Sequence, residues 1–250
     1  MNAIILAAGM GTRLRPLTDD RPKSLVEVAG ESFFARQLRQ LRSAGVSEVS
    51  VVTGYMAEAF APWRGQSGLS FVHNDHYDDR NNLWSMYLVR DRLADTLVLD
   101  GDVWLAEGVI PAESPPASCW FVGPRQEMRN EWVVRADDRG RVQRIDVASG
   151  SGWILSGLSY WTAADGRLLA RRVEEAALAP GNEGIYWDEM PRRALGEIAV
   201  MARRIGADDW TEIDTLEDKA ALEARLDKIA QRVAPDGPIS ARQPRARADD

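Results

Sequence analysis

The chain has 250 residues, with 31 Lys and Arg against 38 Asp and Glu, and a formal net charge of −7 at pH 7. Its 45% of hydrophobic residues suffice for a sizeable core, whereas the acidic balance argues against a general nucleic-acid binder, which needs a surplus of Lys and Arg. Apolar runs of about 18 residues, the length of a membrane span, do not occur, and one cysteine excludes an internal disulfide or a cysteine metal cluster, so we expect a cytoplasmic protein.

The first hundred residues predict strands that alternate with helices. Residues 1–6 lack the basic segment of a secretory signal, and residues 3–7 form an apolar run typical of a buried strand. The next predicted elements are a helix around Phe34, Leu38 and Leu41 that ends at Gly45, a strand over 49–53, a helix over 83–93 and a strand over 96–100. This alternation predicts an α/β fold with a Rossmann-like, doubly wound, mixed but mostly parallel sheet.

The middle of the chain predicts an antiparallel arrangement. Short strands are expected over residues 119–122, 132–135, 142–145 and 154–160. Asp137-Asp138-Arg139-Gly140 is typical of a hairpin turn. We therefore expect a small antiparallel lid or subdomain, roughly residues 119–161, beside the parallel sheet.

The last third predicts helices over 168–178 and 188–195, a strand over 198–201 and a helix that starts at Thr215. Residues 1–232 are thus interpreted as one domain. Residues 233–250 are rich in Pro, Arg and Asp and poor in bulky apolar side chains, which predicts a disordered tail.

The strongest chemical signal follows the first predicted strand. It reads Leu6-Ala7-Ala8-Gly9-Met10-Gly11-Thr12-Arg13, with Pro22-Lys23 further on. Successive N–H groups of a Gly-rich turn can surround phosphate oxygens, and Arg13 and Lys23 add charges suited to polyphosphate. A lone Gly-x-Gly is equally consistent with a tight turn, and its spacing matches neither a dinucleotide fingerprint nor a Walker loop.

These segments resemble the signature of the nucleotidyltransferases that join a nucleoside triphosphate to a phosphorylated small molecule. The chain is most similar to the bacterial CTP:phosphocholine cytidylyltransferases of the choline-incorporation type. Further matching segments are Gly54-Tyr55, Asn74-Asp75-x-Tyr77, Asn81-Asn82-x-x-Ser85, Asn130-Glu131-Trp132, Leu155-Ser156-Gly157, Tyr186-Trp187-Asp188 and Glu212-Ile213-Asp214. The resemblance implies transfer of CMP from CTP to phosphocholine, giving CDP-choline and pyrophosphate, with Mg²⁺ as cofactor.

The resemblance assigns Asp102 and Asp214 as the metal ligands. Asp102 follows an apolar strand, at the position where open α/β sheets collect ligands, and carboxylate oxygens suit Mg²⁺. Taken without the resemblance, Asp214 fits a helix N-cap better. Asp100 is left without a role.

The catalytic set implied by the resemblance is Lys23, Arg13 and Asp102. Lys23 is expected at the α-phosphate and the acceptor phosphate, and Arg13 with the amides of Gly9 and Gly11 at the departing pyrophosphate. The acceptor phosphate is already ionised near neutral pH, so no general base is expected. His73 and His76 are therefore interpreted as structural or surface residues.

The same resemblance implies a pocket for each substrate, with the antiparallel insert over residues 119–161 binding the acceptor. The backbone of Ala7 and Ala8, the side chain of Tyr55 and the Asn81-Asn82 turn are expected around the cytosine, although that turn is equally good as a helix cap. The residues expected around the acceptor are Glu131, Trp132, Tyr186, Trp187 and Asp188. A quaternary ammonium favours aromatic faces with a carboxylate nearby, but any single Trp is more often part of a core. Trp153 and Trp161 are further candidates.

Other readings stay open. The acceptor could be 2-aminoethylphosphonate or phosphoethanolamine, whose primary ammonium favours carboxylates over aromatic faces. A sugar 1-phosphate would call for hydroxyl-binding polar groups. An inactive nucleotide-binding regulatory protein is a further alternative. The presence of Arg13, Lys23, Asp102 and Asp214 argues against it. The expected partners are CTP and a small phosphorylated or phosphonate amine, without nucleic acid or membrane insertion, and the sequence does not indicate an oligomeric state.

Overall fold

The computed structural model describes residues 1–233. In chain order the elements are β1 (Asn2–Ala7), β2 (Glu27–Val28), β3 (Glu31–Ser32), α1 (Phe33–Ser43), β4 (Val49–Thr53), β5 (Leu69–His73), α2 (Asn82–Leu88), β6 (Thr96–Asp100), β7 (Val103–Leu105), β8 (Cys119–Ala136), β9 (Val142–Trp161), α3 (Ala163–Leu178), α4 (Glu189–Arg193), β10 (Met201–Arg204), β11 (Trp210–Glu212) and α5 (Leu216–Val233). Apart from its first residue, which ends α5, the predicted tail over 233–250 lies outside the described residues. Each helix within residues 1–233 is too short or too polar to cross a membrane.

The central sheet of the described chain has seven strands in the order β10-β8-β9-β6-β1-β4-β5. Strands β6, β1, β4 and β5 run parallel to one another. Strand β9 is antiparallel to β6, β8 is antiparallel to β9, and β10 is parallel to β8. The prediction of a mixed, mostly parallel α/β sheet is thus confirmed, since four of these six pairings are parallel.

The antiparallel part differs from the prediction in its continuity. The four short strands expected over residues 119–161 are two long ones, β8 and β9, which pair with each other and extend the central sheet. Register shifts between Arg125 and Glu131 let the hairpin continue past segments that look like breaks in the sequence. Glu127 and Asn130 take a left-handed backbone there, each with φ 54°. The expected turn at 137–140 does connect the two strands.

Helices cover both faces of the sheet. On one face α1 packs Phe34, Leu38 and Leu41 against β1 and β4, and its N-terminus is capped by Ser32, whose hydroxyl accepts from the amide of Ala35 at 3.2 Å. On the other face lie α2 and α3, whose apolar side chains are buried against β1, β6 and β8. The sheet is thereby enclosed as in other doubly wound folds, and its free strand ends form the edge where ligands bind.

A third apolar cluster joins the two ends of the described chain. Leu14 and Val26, which flank the segment with Lys23, pack with Ile213 and with Leu222 of α5. The two-stranded pairs β2–β3 and β7–β11 lie in the same region, and the carboxylate of Glu223 accepts from the amide of Ala29 at 3.3 Å. This cluster, the terminal cluster below, holds the loop after β1 against the start of α5.

Candidate functional site

A cleft of ≈ 620 Å³ opens at the carboxyl ends of β1 and β6. This volume is within the range of roughly 300–1,000 Å³ that is usual for small-molecule sites. The predicted site residues on its walls are Ala7, Ala8, Gly9, Gly11, Arg13, Lys23, Asn81, Asn82, Asp102, Glu131, Trp132, Tyr186, Asp188 and Asp214. Two further predicted residues, Tyr55 and Trp187, lie behind these walls.

The loop after β1 is held tightly against the stem of Lys23. Gly11 has a left-handed backbone with φ 60°, and a Cβ atom there would lie 2.7 Å from the Cβ of Lys23. Glycine is therefore needed at this position for two reasons, its conformation and its lack of a side chain. The carbonyl of Gly11 accepts a hydrogen bond from the Thr18 hydroxyl at 2.9 Å, which fixes the loop from behind.

Tyr55 supports this loop and does not face the cleft, which corrects the expectation that it contacts the base. Its amide donates to the carbonyl of Ala8 at 3.1 Å, and its hydroxyl donates to the carbonyl of Thr18 at 3.0 Å. The ring that lines the cleft is Tyr77, whose centroid lies 6.3 Å from that of Tyr55. A Cβ on Gly54 would lie 2.5 Å from the Cβ of Tyr77, so the glycine makes room for that ring.

Lys23 connects the two predicted metal ligands. Its Nζ donates to Oδ2 of Asp102 and to Oδ1 of Asp214, both at 2.7 Å. Nη2 of Arg13 lies 2.8 Å from the same oxygen of Asp214. Burial opposes the charged ammonium of Lys23, but the two carboxylates outweigh it, so the pKa of Lys23 is raised and the group is a cation at neutral pH.

Asp214 is not the cap of α5. The hydroxyl of Thr215 accepts from the amide of Asp218 at 3.2 Å, and the Asp218 carboxylate accepts from the amide of Thr215 at 2.9 Å. This reciprocal pair is a capping box, with Thr215 as the N-cap. The helix-cap interpretation of Asp214 is therefore wrong, and its carboxylate belongs to the cluster around Lys23.

A third carboxylate, Glu212, completes an acidic cluster that the sequence interpretation missed. Asp102, Glu212 and Asp214 each offer an oxygen, and these oxygens lie within 4.8 Å of one another. Glu212 is two residues before Asp214, and its β11 register places it opposite Val103, beside Asp102. Burial and then the charges of Asp102 and Asp214 raise the pKa of Glu212 to about 7. Three hard oxygen donors form a set that fits Mg²⁺.

Asp100, which the sequence left without a role, faces the same cleft. Burial and then the charge of Asp188 raise its pKa well above the ordinary value. The backbone around it is held by Gln37 of α1, whose Nε2 donates to the carbonyls of Asp100 at 2.8 Å and Val103 at 2.9 Å. The turn that carries Asp102 is thus fixed from the opposite face of the sheet.

The Asn81-Asn82 turn both caps α2 and lines the cleft. Oδ1 of Asn81 accepts from the amide of Asn82 at 2.7 Å, so the helix-cap interpretation is confirmed. The same turn is bonded to the segment before α4: the Asn81 amide donates to the carbonyl of Glu183 at 2.7 Å, and Oδ1 of Asn82 accepts from the amide of Trp187 at 2.8 Å. Opposite walls of the cleft are joined here.

The far wall carries the aromatic and acidic residues predicted for an acceptor. Glu131 and Trp132 come from β8, and Tyr186 and Asp188 from the segment before α4. Tyr186 is 56% exposed. The guanidinium carbon of Arg192 lies 5.3 Å from the centroid of the Trp132 ring, so one face of that ring is already taken by a cation.

Trp187 lies in the core, which corrects the expectation that its indole faces a ligand. It is 2% exposed and packs edge-to-face on Trp161, with ring centroids 5.8 Å apart. Trp161 packs in the same way on Trp120 at 5.6 Å, and is also buried. Trp153 lies under the guanidinium of Arg204 at 4.7 Å. The rings of these three predicted candidates therefore serve packing.

The two histidines lie at the surface, as expected. His73 pairs with Asp75 at 3.2 Å and His76 with Asp79 at 3.1 Å. Both imidazoles are more than two-fifths exposed. Neither is among the residues that line the cleft.

Several known proteins are similar to this chain. Residues 3–110 match the family described as the MobA-like NTP transferase domain. The choline-phosphate cytidylyltransferase of Streptococcus pneumoniae is 35% identical over 226 residues, covering 90% of this chain and 98% of that protein. The 2-aminoethylphosphonate cytidylyltransferase of Lancefieldella rimae is 32% identical over 225 residues, covering 89% and 92%. A solved structure of the Streptococcus pneumoniae CTP:phosphocholine cytidylyltransferase matches with a TM-score of 0.86 at 35% identity, over 90% of this chain and 98% of that one.

Proposed function

The chain belongs to the cytidylyltransferases, a branch of the nucleotidyltransferase family, and from this membership we propose that it transfers CMP from CTP to phosphocholine with Mg²⁺, giving CDP-choline and pyrophosphate. One observation carries the proposal. A single cleft is lined by the loop of Gly9 and Gly11 with Lys23, called the phosphate end below, and by Trp132, Tyr186 and Asp188, called the acceptor end. The phosphate end suits a triphosphate, and the acceptor end suits a small cation.

At the phosphate end the chain has to bring two anions together. The ionised phosphate of the acceptor attacks the α-phosphorus of CTP, and pyrophosphate leaves in line with the new bond. Lys23 would bind the α-phosphate and the acceptor phosphate, and so offset their mutual repulsion. Arg13 and the amides of Gly9 and Gly11 would hold the departing pyrophosphate. Positioning and electrostatic stabilisation supply the catalysis, without a general base.

Mg²⁺ would be held by the carboxylates of Asp102, Glu212 and Asp214, whose oxygens are within 4.8 Å of one another. When bound, Mg²⁺ supplies positive charge for the reacting phosphates. Lys23, 2.7 Å from two of these carboxylates, partly neutralises them and also keeps them in place beside the loop.

At the acceptor end, the proposed ligand group is the trimethylammonium of choline, which has no N–H donors. Such a cation is bound by ring faces and by carboxylates at short range. The free face of Trp132 and the exposed ring of Tyr186 provide the first, and Glu131 and Asp188 the second. The cytosine would lie among Ala8, Asn81 and Asn82, with Tyr77 in the position that the sequence predicted for Tyr55.

The test is release of pyrophosphate from CTP and Mg²⁺ with phosphocholine, phosphoethanolamine, 2-aminoethylphosphonate or glucose 1-phosphate as acceptor. We expect the highest kcat/KM for phosphocholine, and a large drop when UTP, ATP or GTP replaces CTP. A higher kcat/KM for 2-aminoethylphosphonate would reassign the acceptor within the same chemistry. Binding of CTP without turnover of any acceptor would contradict the enzymatic proposal and favour a regulatory role.

A further inference from the structure

We propose that Trp120, a core residue behind the cleft, is a positioning residue that makes the enzyme select cationic acceptors by orienting the carboxylate of Asp188. The inference rests on the proposed function and extends it to a residue that no substrate touches. Nε1 of Trp120 lies 3.3 Å from Oδ1 of Asp188 and donates to it. Among the hydrogen bonds within residues 1–233, this is the one that a side chain donates to the Asp188 carboxylate.

The donor cannot move away from its acceptor. Trp120 is 2% exposed, and its ring meets Trp161 edge-to-face at an angle of 90°, while Trp161 meets Trp187 at 88°. An indole N–H can only donate a hydrogen bond, and within this packing its acceptor is the carboxylate of Asp188. The three rings of Trp120, Trp161 and Trp187, which meet edge-to-face, are called the tryptophan stack below.

The tryptophan stack also fixes the backbone that carries Asp188. Trp187 is the residue directly before it, and the Trp187 amide donates to Oδ1 of Asn82 at 2.8 Å. Asp188 is thus held at both ends, at its backbone by Trp187 and at its carboxylate by Trp120. A carboxylate held in this way has little freedom to turn, and it lines the cleft.

The surroundings of Asp188 make this hydrogen bond matter for charge. Asp188 is half-buried, faces Asp100 across a small cavity of ≈ 20 Å³, and is followed by Glu189. Burial raises the pKa of Asp188 to about 7, the hydrogen bond from Trp120 opposes this rise, and the charge of Glu189 adds to it. An N–H donor favours the ionised form, which is the form that attracts an ammonium group.

Replacement of Trp120→Phe tests the inference, because it keeps an aromatic ring and removes the donor. The readout is the ratio of kcat/KM for phosphocholine to kcat/KM for 3,3-dimethylbutyl phosphate, which has the same shape and the same phosphate but an uncharged tert-butyl group in place of the trimethylammonium. We expect this ratio to fall about tenfold, as for loss of a hydrogen bond to a charged group, while the KM for CTP stays unchanged. General damage to the fold would lower both terms and leave the ratio as it was.

The matched control is Trp161→Phe. Trp161 lies in the same stack with its N–H on the Ser159 hydroxyl at 3.0 Å, so its replacement disturbs the packing without touching Asp188. Its ratio should equal that of the wild type. An equal fall in both variants would overturn the proposal, since packing alone would then explain the effect.

A double variant shows whether Trp120 acts through Asp188. In an Asp188→Asn background the ratio should already be low, and adding Trp120→Phe should not lower it further. A further full drop would overturn the proposal. If Trp120→Phe does not fold, β-(3-benzothienyl)alanine at position 120 keeps the bicyclic shape without the N–H, and the same fall in ratio is expected.

Failure of the proposed function would look different. In that case the wild-type enzyme would not use phosphocholine, and the same ratio is measured with 2-aminoethylphosphonate against propylphosphonate, its counterpart without the ammonium. A wild-type preference for the cation that Trp120→Phe leaves intact would overturn the role of Trp120, whichever acceptor is the natural one.

Discussion

The two ends of the cleft balance their charges in opposite ways. At the phosphate end, Asp102 and Asp214 each have a cation of the chain within 2.8 Å, which offsets part of the charge of the cluster that they form with Glu212. At the acceptor end, Asp188 has a neutral indole as its hydrogen-bond partner and a second carboxylate, Asp100, nearby. The phosphate end thus has cations of its own before any ligand binds, whereas the acceptor end needs a cationic ligand to balance its charge.

The two ends also differ in their backbone. The phosphate end lies on tight turns directly after the parallel strands β1 and β6, where glycines at 11 and 101 allow close approach. The acceptor end lies on the bulged hairpin β8–β9 and on the segment before α4. The first arrangement favours precise placement of phosphates, whereas the acceptor residues depend on contacts between segments far apart in the chain.

The largest effect is expected from Lys23→Ala, which removes the cation on which the balance of the phosphate end depends. We expect kcat to fall on the order of 10³-fold, as when a group that stabilises transition-state charge is lost. Pyrophosphate release measures this, and circular dichroism checks the fold. Lys219→Ala, which removes a half-buried pair with Glu223 on α5, should be nearly silent. Wild-type turnover in Lys23→Ala would contradict the charge-balancing role.

Two tryptophans separate packing from binding at the acceptor end. Trp187→Ala should destabilise the fold by about 3–5 kcal/mol, the usual loss for a buried Trp, seen as a lower Tm. Trp132→Ala should leave the Tm nearly unchanged and raise the KM of the acceptor by about tenfold, the size of a cation–π contact, with the KM for CTP unchanged. If Trp187→Ala changed acceptor binding and spared stability, the assignment of its ring to the core would be wrong.

The unbalanced carboxylates make stability depend on pH in a particular direction. The pKa of Asp188 is raised from 3.8 to about 7, chiefly by burial. Between these values the folded chain keeps a proton that the unfolded chain has lost, so the stabilising contribution is full below pH 3.8 and is lost as the pH rises to about 7. The contribution of Asp188 to the Tm without ligands should therefore fall across this window.

The control for this pH effect is a pair of variants. Asp188→Asn should fall less steeply in Tm over the same window, because its side chain does not titrate. Asp138→Asn, at an exposed carboxylate in the turn between β8 and β9, should keep the wild-type slope. Equal slopes in the wild-type protein and in Asp188→Asn would contradict the assignment of this pH effect to Asp188.

The smallest effect is expected from Tyr55→Phe, which removes the hydroxyl that supports the loop through Thr18. We expect a rise of a few-fold in the KM for CTP, as for one neutral hydrogen bond of about 1 kcal/mol, and no change in the KM for the acceptor. Tyr87→Phe, on α2 beside Trp84, is a suitable control. Loss of cytosine selectivity in Tyr55→Phe would instead return Tyr55 to the base site.

The sequence predicted most of the parallel half of the fold, because β1, β4 and β6 are apolar runs bounded by glycine or acidic residues. It missed β5, β7 and β11, which are short or partly polar, and it divided β8 and β9 at glycines that a strand seldom contains. Gly123 belongs there for a tertiary reason: a Cβ would lie 1.6 Å from Nε1 of Trp210. A contact of this kind cannot be inferred from local pattern.

The same limit applies to the site. The motif around Lys23 indicated a phosphate-binding end, which the geometry supports, because loop, lysine and strand end are close in the chain. The side-chain directions of Tyr55 and Trp187 depend on what packs beside them, and both were wrongly expected to face a ligand. Glu212 could have been found from its position two residues before Asp214, within the matching segment Glu212-Ile213-Asp214.

The terminal cluster has a consequence for how the enzyme is made. Lys23 and Asp214 are 191 positions apart, yet they share a hydrogen bond, and Leu14 and Leu222 are buried together beside it. A ribosome delivers the phosphate-binding loop and Asp102 early, and Glu212 and Asp214 late, so for much of translation the nascent chain has the loop without two of its three carboxylates. We therefore expect activity to begin only when α5 has left the ribosome and docked, and its appearance during translation would time this folding step.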